Sequence, residues 1–173
     1  GYTLLATTAS FTVIPAFYKD LPFDVVRDFA PVSLISERPL AFLLHAAFPV
    51  KNFSEYIAYA RANPGKINFG TAGGGGISHL LGAWAHSATN TRATFVHYKG
   101  GGPALLDVIS GRVDVTVAAL VTAVPLIKAG KIRALGVTND KRSRLMLELP
   151  TIAEQGIQGF NSILWQGFAA PGG

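Results

Sequence analysis

The chain has 173 residues, 49% hydrophobic and 14% charged, with 19 glycines, 10 prolines and no cysteine. That composition supports a compact core with many tight turns, and it excludes a disordered chain, a disulfide scaffold, a thiolate metal site and a cysteine nucleophile. The net charge of +5 favours anions in general. The one dense basic run, Lys141-Arg142-Ser143-Arg144, carries no groove-reading motif, so nucleic acid is not an expected partner.

In chain order, short apolar runs alternate with longer amphipathic segments, the pattern of repeated βαβ units and a largely parallel sheet in an α/β protein. The segments 2–6, 30–35, 41–45, 67–70, 94–97, 113–117, 132–138 and 164–169 read as strands. Residues 19–29, with Leu21-Pro22-Phe23-Asp24, are too polar and broken for a core element. A helix begins at the cap Asn52, with Glu55 three residues on and the apolar face Phe53, Tyr56, Ile57 and Ala60, and Asn63-Pro64-Gly65 stops it. Further helices are predicted over 77–88 and 101–110, the latter ended by Gly111. The richest apolar stretch, 113–135, is broken by Pro125, Lys128, Gly130, Lys131 and Arg133, so no segment is expected to span a bilayer. The chain opens in a strand-like run without an initiator Met or signal sequence and stops at Pro171-Gly172-Gly173, which reads as a piece cut at both ends.

The main chemical signal is Gly70-Thr71-Ala72-Gly73-Gly74-Gly75-Gly76-Ile77-Ser78-His79, a strand entering a glycine turn and then a helix. Residues without Cβ let the backbone approach a ligand, and the free amides of a helix start favour a carboxylate or phosphate. Four consecutive glycines exceed what a tight turn needs. A second glycine turn, Tyr98-Lys99-Gly100-Gly101-Gly102-Pro103, is expected to face the same cleft.

Competing chemistries fit less well. G-x-x-x-x-G-K-[ST] is absent, Ser78 stands where a dinucleotide fingerprint needs its third glycine, and residues 88–102 hold no acidic partner for a ribose. His79 and His86 lie two helical turns apart, too far to share a metal, and HExxH is absent. His79 reads as a helix-start residue bonding the loop, and His45 and His97 as structural strand-end residues. A hydrolase using Ser78 and His79 lacks a nucleophile elbow, and adjacent helical side chains point about 100° apart. Asp114 interrupts the apolar strand Val113-Asp114-Val115-Thr116-Val117 and reads equally as a hydrogen-bonded strand-end residue or as a cleft residue ordering water or ligand.

Several ordered motifs resemble one family: Gly1-Tyr2-Thr3-Leu4-Leu5, Asp28-Phe29-Ala30-Pro31-Val32, Asn63-Pro64-Gly65-Lys66-Ile67-Asn68-Phe69-Gly70, His97-Tyr98-Lys99-Gly100-Gly101, Ile127-Lys128-Ala129-Gly130-Lys131-Ile132-Arg133-Ala134-Leu135 and Leu149-Pro150-Thr151-Ile152-Ala153-Glu154-Gln155-Gly156. Together they resemble the Bug family, the substrate-binding proteins of tripartite tricarboxylate transporters, also called TctC-like receptors. The resemblance implies a secreted, periplasmic, non-catalytic receptor with a two-lobed periplasmic-binding-protein-like (type II) fold. It further implies a small carboxylate ligand, no cofactor or metal, and as partners the membrane permease subunits of the transporter or, alternatively, a membrane sensor. Residues 1–45 and 161–173 would belong to the first lobe and 46–160 to the second. The second-lobe loop of the family matches Thr71 to Ser78, whereas the opposing loop would precede Gly1. Gly76 departs from the family, whose members commonly carry Ser or Thr there.

The expected site is a carboxylate over the amides of Gly73, Gly74, Gly75, Gly76 and Ile77, next to Ala72, with Thr71 and Ser78 donating hydroxyls. Thr7, after the first strand, and Ala118 and Ala119, after the strand at 113–117, are expected to line the same cleft, because ligands meet the carboxyl ends of parallel strands.

Overall fold

The computed structural model describes residues 3–172. The elements run β1 (Leu5–Thr8), α1 (Ala9–Phe17), β2 (Phe29–His45), α2 (Phe53–Ala62), β3 (Asn68–Thr71), α3 (Ile77–Ala88), β4 (Thr94–His97), α4 (Gly101–Ile109), β5 (Val115–Ala119), α5 (Leu120–Lys128), β6 (Ile132–Val137) and β7 (Ile163–Pro171), with a 3-10 turn at Ala153–Gln155. The chain divides into two compact units, Gly1–Arg38 with Leu164–Gly173, and Pro39–Ile163.

The smaller unit is built on β1 and β7, antiparallel with Leu5 opposite Ala169 and Thr8 opposite Gln166. The Thr8 hydroxyl accepts from the Ser10 amide and so caps α1. Phe11 of α1 packs on Phe23 and Phe29, the ring centroids lying 5.1 to 6.1 Å apart. Residues 18–28 form neither helix nor strand, in line with their broken sequence. Beside the aromatic cluster lies a cavity of about 620 Å³, lined by Thr7, Phe11, Pro15, Val25, Leu34 and Phe168 among others.

In the larger unit the second half of β2 is the central strand. Residues 41–44 pair antiparallel with β5 on one side and with β6 on the other, and every side chain from Leu40 to Leu44 is buried. Strand β3 pairs parallel with both β5 and β4, which gives the order β6-β2-β5-β3-β4. Phe42 meets Phe53 of α2, Phe69 of β3 and Phe160, with centroids 5.4 to 6.0 Å apart. Burying one such ring contributes roughly 2 kcal/mol. Gly82 lets α3 come down on the sheet, since a Cβ there would sit 2.7 Å from the Phe69 ring and 2.9 Å from Phe95. Arg133 of β6 ties down the turn after β2 by donating to the carbonyls of Ala46, Phe48 and Val50.

Four expectations are corrected. The sheet is mixed rather than largely parallel, because β2 runs against both of its neighbours in the larger unit. The segments 30–35 and 41–45 are one 17-residue strand, since Pro31 and Pro39 leave the extended backbone intact. Strand β1 ends later than expected, so Thr7 lies within it; residue 2 of the expected strand falls outside the described residues. Finally, α1 and α5 are helices that the periodicity did not reveal, both carrying an internal proline and many β-branched or aromatic residues.

Candidate functional site

Strands β5, β3 and β4 lie side by side and parallel, so their carboxyl ends meet at one edge of the larger unit. From that edge start α5, α3 and α4. None of the three has a side-chain cap, their N-cap residues being Ala119, Gly76 and Gly100, and none has an acidic residue in its first turn. The positive ends of three helices therefore face this edge without a carboxylate to neutralise them.

The turn between β3 and α3 is held from both sides. Its backbone requires glycine at two points, Gly73 at φ +147° and Gly75 at φ +74°. The amide of Ala72 donates to Ser78 Oγ at 2.8 Å, and that of Gly75 donates to His79 Nδ1 at 3.1 Å. The amide of Gly76 donates to the Gly73 carbonyl at 3.3 Å. The amides of Gly73, Gly74, Ile77 and Ser78 have no acceptor among the described residues. Four donors at a helix start, with no Cβ at 73 or 74 to screen them, form an anion-binding surface.

The two glycine turns adjoin. Tyr98 N–H donates to the Thr71 carbonyl at 2.9 Å and Gly100 N–H to the Ala72 carbonyl at 3.1 Å. Gly100 takes φ +119°, and a Cβ on Gly101 would lie 4.0 Å from that of Ala72. Tyr98 is fixed in turn by its hydroxyl, which donates to Asp107 at 2.7 Å; Asp107 also receives Arg112 at 2.8 Å, and both bonds hold its carboxyl below the usual carboxylate range.

Most of the predicted residues come together here. Thr71, Ala72, Gly73, Gly74, Gly75, Gly76, Ile77 and Ser78 form the turn, and Ala118 and Ala119 end the neighbouring strand β5, whose Thr116 is in register with Gly70. Two roles change. The Thr71 and Ser78 side chains are buried, and their hydroxyls are engaged within the loop, Thr71 Oγ1 with the Gly73 carbonyl and His97 Nδ1, and Ser78 Oγ with the Ala72 amide. Thr71 Oγ1 is bonded on both sides and Ser78 Oγ serves as an acceptor, and the four open amides are donors with no partner among the described residues. Asp114 precedes β5 at the opposite end of the strands; its Oδ2 accepts from the Asn68 amide at 2.7 Å, which is the strand-end arrangement. Thr7 belongs to the smaller unit, paired with Gly167.

The same geometry disfavours a hydrolase. Ser78 is 2% exposed, and its Oγ faces a backbone amide; the neighbouring His79 turns its Nδ1 to Gly75. His97, expected to be a structural strand-end residue, also borders the loop through its bond with Thr71.

This mixed sheet flanked by helices matches solved periplasmic binding proteins. BugD, a periplasmic binding protein, superposes with a TM-score of 0.91 at 32% identity, covering 99% of this chain and 57% of that one. The chain belongs to the tripartite tricarboxylate transporter family receptors, whose model matches residues 1–173. It is 36% identical, over its full length, to the UPF0065 protein of the tcbD-tcbE intergenic region of Pseudomonas sp. strain P51, and 30% identical to BugT of Bordetella pertussis. It covers 52% and 54% of those proteins, so the chain spans about half the length of the curated relatives it matches. The R. palustris protein Rpa4515, solved with adipate, matches at 34% identity with a TM-score of 0.90, covering 99% of this chain and 57% of that one. MatC from Rhodopseudomonas palustris, solved with bound malate, matches at 30% and 0.86, covering 98% and 58%. No helix among the described residues is long and apolar enough to cross a membrane.

Proposed function

We propose that this chain carries one half of the ligand clamp of a non-catalytic periplasmic receptor, which binds a small carboxylate and delivers it to the membrane permease of a tripartite transporter. The observation that carries this reading is the set of unpaired amides at Gly73, Gly74, Ile77 and Ser78, set at an uncapped helix start. Backbone donors fixed in a rigid turn bind an oxyanion without first ordering a flexible side chain, and the helix dipole adds to the attraction. Adipate and malate in the related structures indicate the size class of ligand, a short chain with two carboxylates. Ala118 and Ala119 on the adjacent strand leave room for the ligand body.

The test is calorimetric titration of the receptor that carries this chain together with the other half of the clamp, against succinate, malate, adipate and citrate. At least one acid is expected to bind, and Gly74→Leu is expected to weaken it roughly a hundredfold, about 2.7 kcal/mol. The backbone at 74 accepts a side chain, whose Cβ would make ordinary contact with His97 at 3.9 Å, so folding should be retained. No heat with any acid, or unchanged affinity in the Gly74 variant, would refute the proposal.

A further inference from the structure

His97, at the end of β4, lies beside the glycine loop. Its Nδ1 is 2.7 Å from the buried Thr71 hydroxyl, and a Cβ at position 74 would lie 4.0 Å from its Nε2. The side chain is exposed, and Nε2 has no hydrogen-bond partner among the described residues. His79 stands against it, with ring centroids 4.8 Å apart and planes at 72°.

Two imidazoles this close hold one proton more readily than two, and their hydrogen bonds decide which ring takes it. His79 Nδ1 already accepts from the Gly75 amide, so a proton there would set donor against donor. Burial, and secondarily His97, hold His79 below its ordinary range. His97 is arranged the other way. When Thr71 gives its hydroxyl proton to the Gly73 carbonyl at 3.3 Å, its oxygen accepts from His97 Nδ1–H, and a proton arriving at Nε2 disturbs no bond. Among the described residues the titratable group against the ring is His79 on α3; Tyr98 and Lys99 follow His97 in the chain, and Tyr98 is bonded to Asp107 and through it to Arg112. Strand β3 contributes none.

We infer that His97 is a ligand-contacting, specificity-determining residue, whose imidazole gains a proton as the carboxylate enters and donates to it from Nε2. This rests on the carboxylate reading of the loop. It makes binding of a carboxylate pH-linked, and selective against the neutral amide of the same shape, because only the anion draws the proton onto the ring.

The experiment is calorimetry of the receptor that carries this chain together with the other half of the clamp, with malate and adipate in two buffers of different ionisation enthalpy, between about pH 6 and about pH 8. Binding is expected to take up as much as one proton and to weaken by roughly tenfold toward the alkaline end. His97→Gln, which cannot titrate, should abolish both effects and leave weaker, pH-independent binding. The His97 ring resonances, followed by NMR, should move toward the protonated position on adding ligand; this readout serves even if the variant does not fold. Binding without proton uptake, or with the same pH slope in His97→Gln, overturns the inference and leaves the receptor reading standing. No binding by any acid at any pH overturns both.

Discussion

Two helix starts in the larger unit share a backbone and differ in everything that satisfies it. Asn52 before α2 and Gly76 before α3 are both extended, at φ −143° and −73°. At α2 the flanking amides are paired: Phe53 N–H donates to Gln155, Glu55 N–H donates to Asn52 Oδ1 at 2.8 Å, and the Glu55 carboxylate returns to the Lys51 amide at 2.7 Å, with Ser54 N–H alone between them unpaired among the described residues. At α3 the polarity of the arrangement is reversed. The first side chains of the helix, Ser78 and His79, accept from the loop, while the amides of Ile77 and Ser78 stay open. A closed start stabilises the fold, and an open start stores unsatisfied donors that a ligand can satisfy.

The two helices are also joined at a buried histidine, which gives the largest expected effect. Tyr56 of α2 lies 2.9 Å from His86 Nε2 of α3, and His86 Nδ1 lies 2.7 Å from the Thr91 hydroxyl. His86 is 3% exposed, and burial pushes it down to about 4. An unfolded histidine titrates near 6.5, so between that pH and about 4 the unfolded chain takes a proton that the folded chain refuses. Stability is therefore full above about pH 6.5 and falls on acidification by up to about 3 kcal/mol. Urea midpoints across this range should show the fall, and His86→Gln should flatten it; an unchanged acid limb would show that the junction does not govern it.

Next in size, Asn52→Ala should remove about 1 kcal/mol of stability without altering carboxylate affinity, because it opens a start that is purely structural. Parallel urea melts and calorimetry check both halves, and a loss of binding would dissolve the contrast between the two starts. The smallest effect is the most diagnostic. Gly76→Ser should close α3 as α2 is closed, raising stability by a few tenths of a kcal/mol while weakening carboxylate binding several-fold. A Cβ at 76 meets only the Gly73 carbonyl, at 3.4 Å, so the variant is tolerated with a slight shift. Stability and affinity rising together would argue that the open amides are not the binding groups.

Much of this could be read along the chain. The bounds of α3 fall where the sequence predicts them, and the cap at Asn52 was legible, because periodicity, capping and glycine turns act over a few residues. The motif series likewise pointed to the receptor family that the comparisons establish. Less legible was α5, which leaves β5 with no intervening turn and carries Pro125, so no local signal separates strand from helix.

Sequence alone determined that a strand, a glycine turn and a helix follow one another at residues 68–88, since each depends on its own residue types. Tertiary structure alone decided what lies beside that turn. Antiparallel pairing of β2 with β5 and β6, the approach of the second glycine turn to Ala72, the meeting of His79 and His97, and the removal of Asp114 to the far end all arise from contacts between distant segments. The hydroxyls of Thr71 and Ser78 show the same limit: residue type marked them as donors, but only packing decided that they would hold the loop. Backbone amides carry no residue identity, so whether one is open or paired is fixed only when the surrounding chain has folded around it.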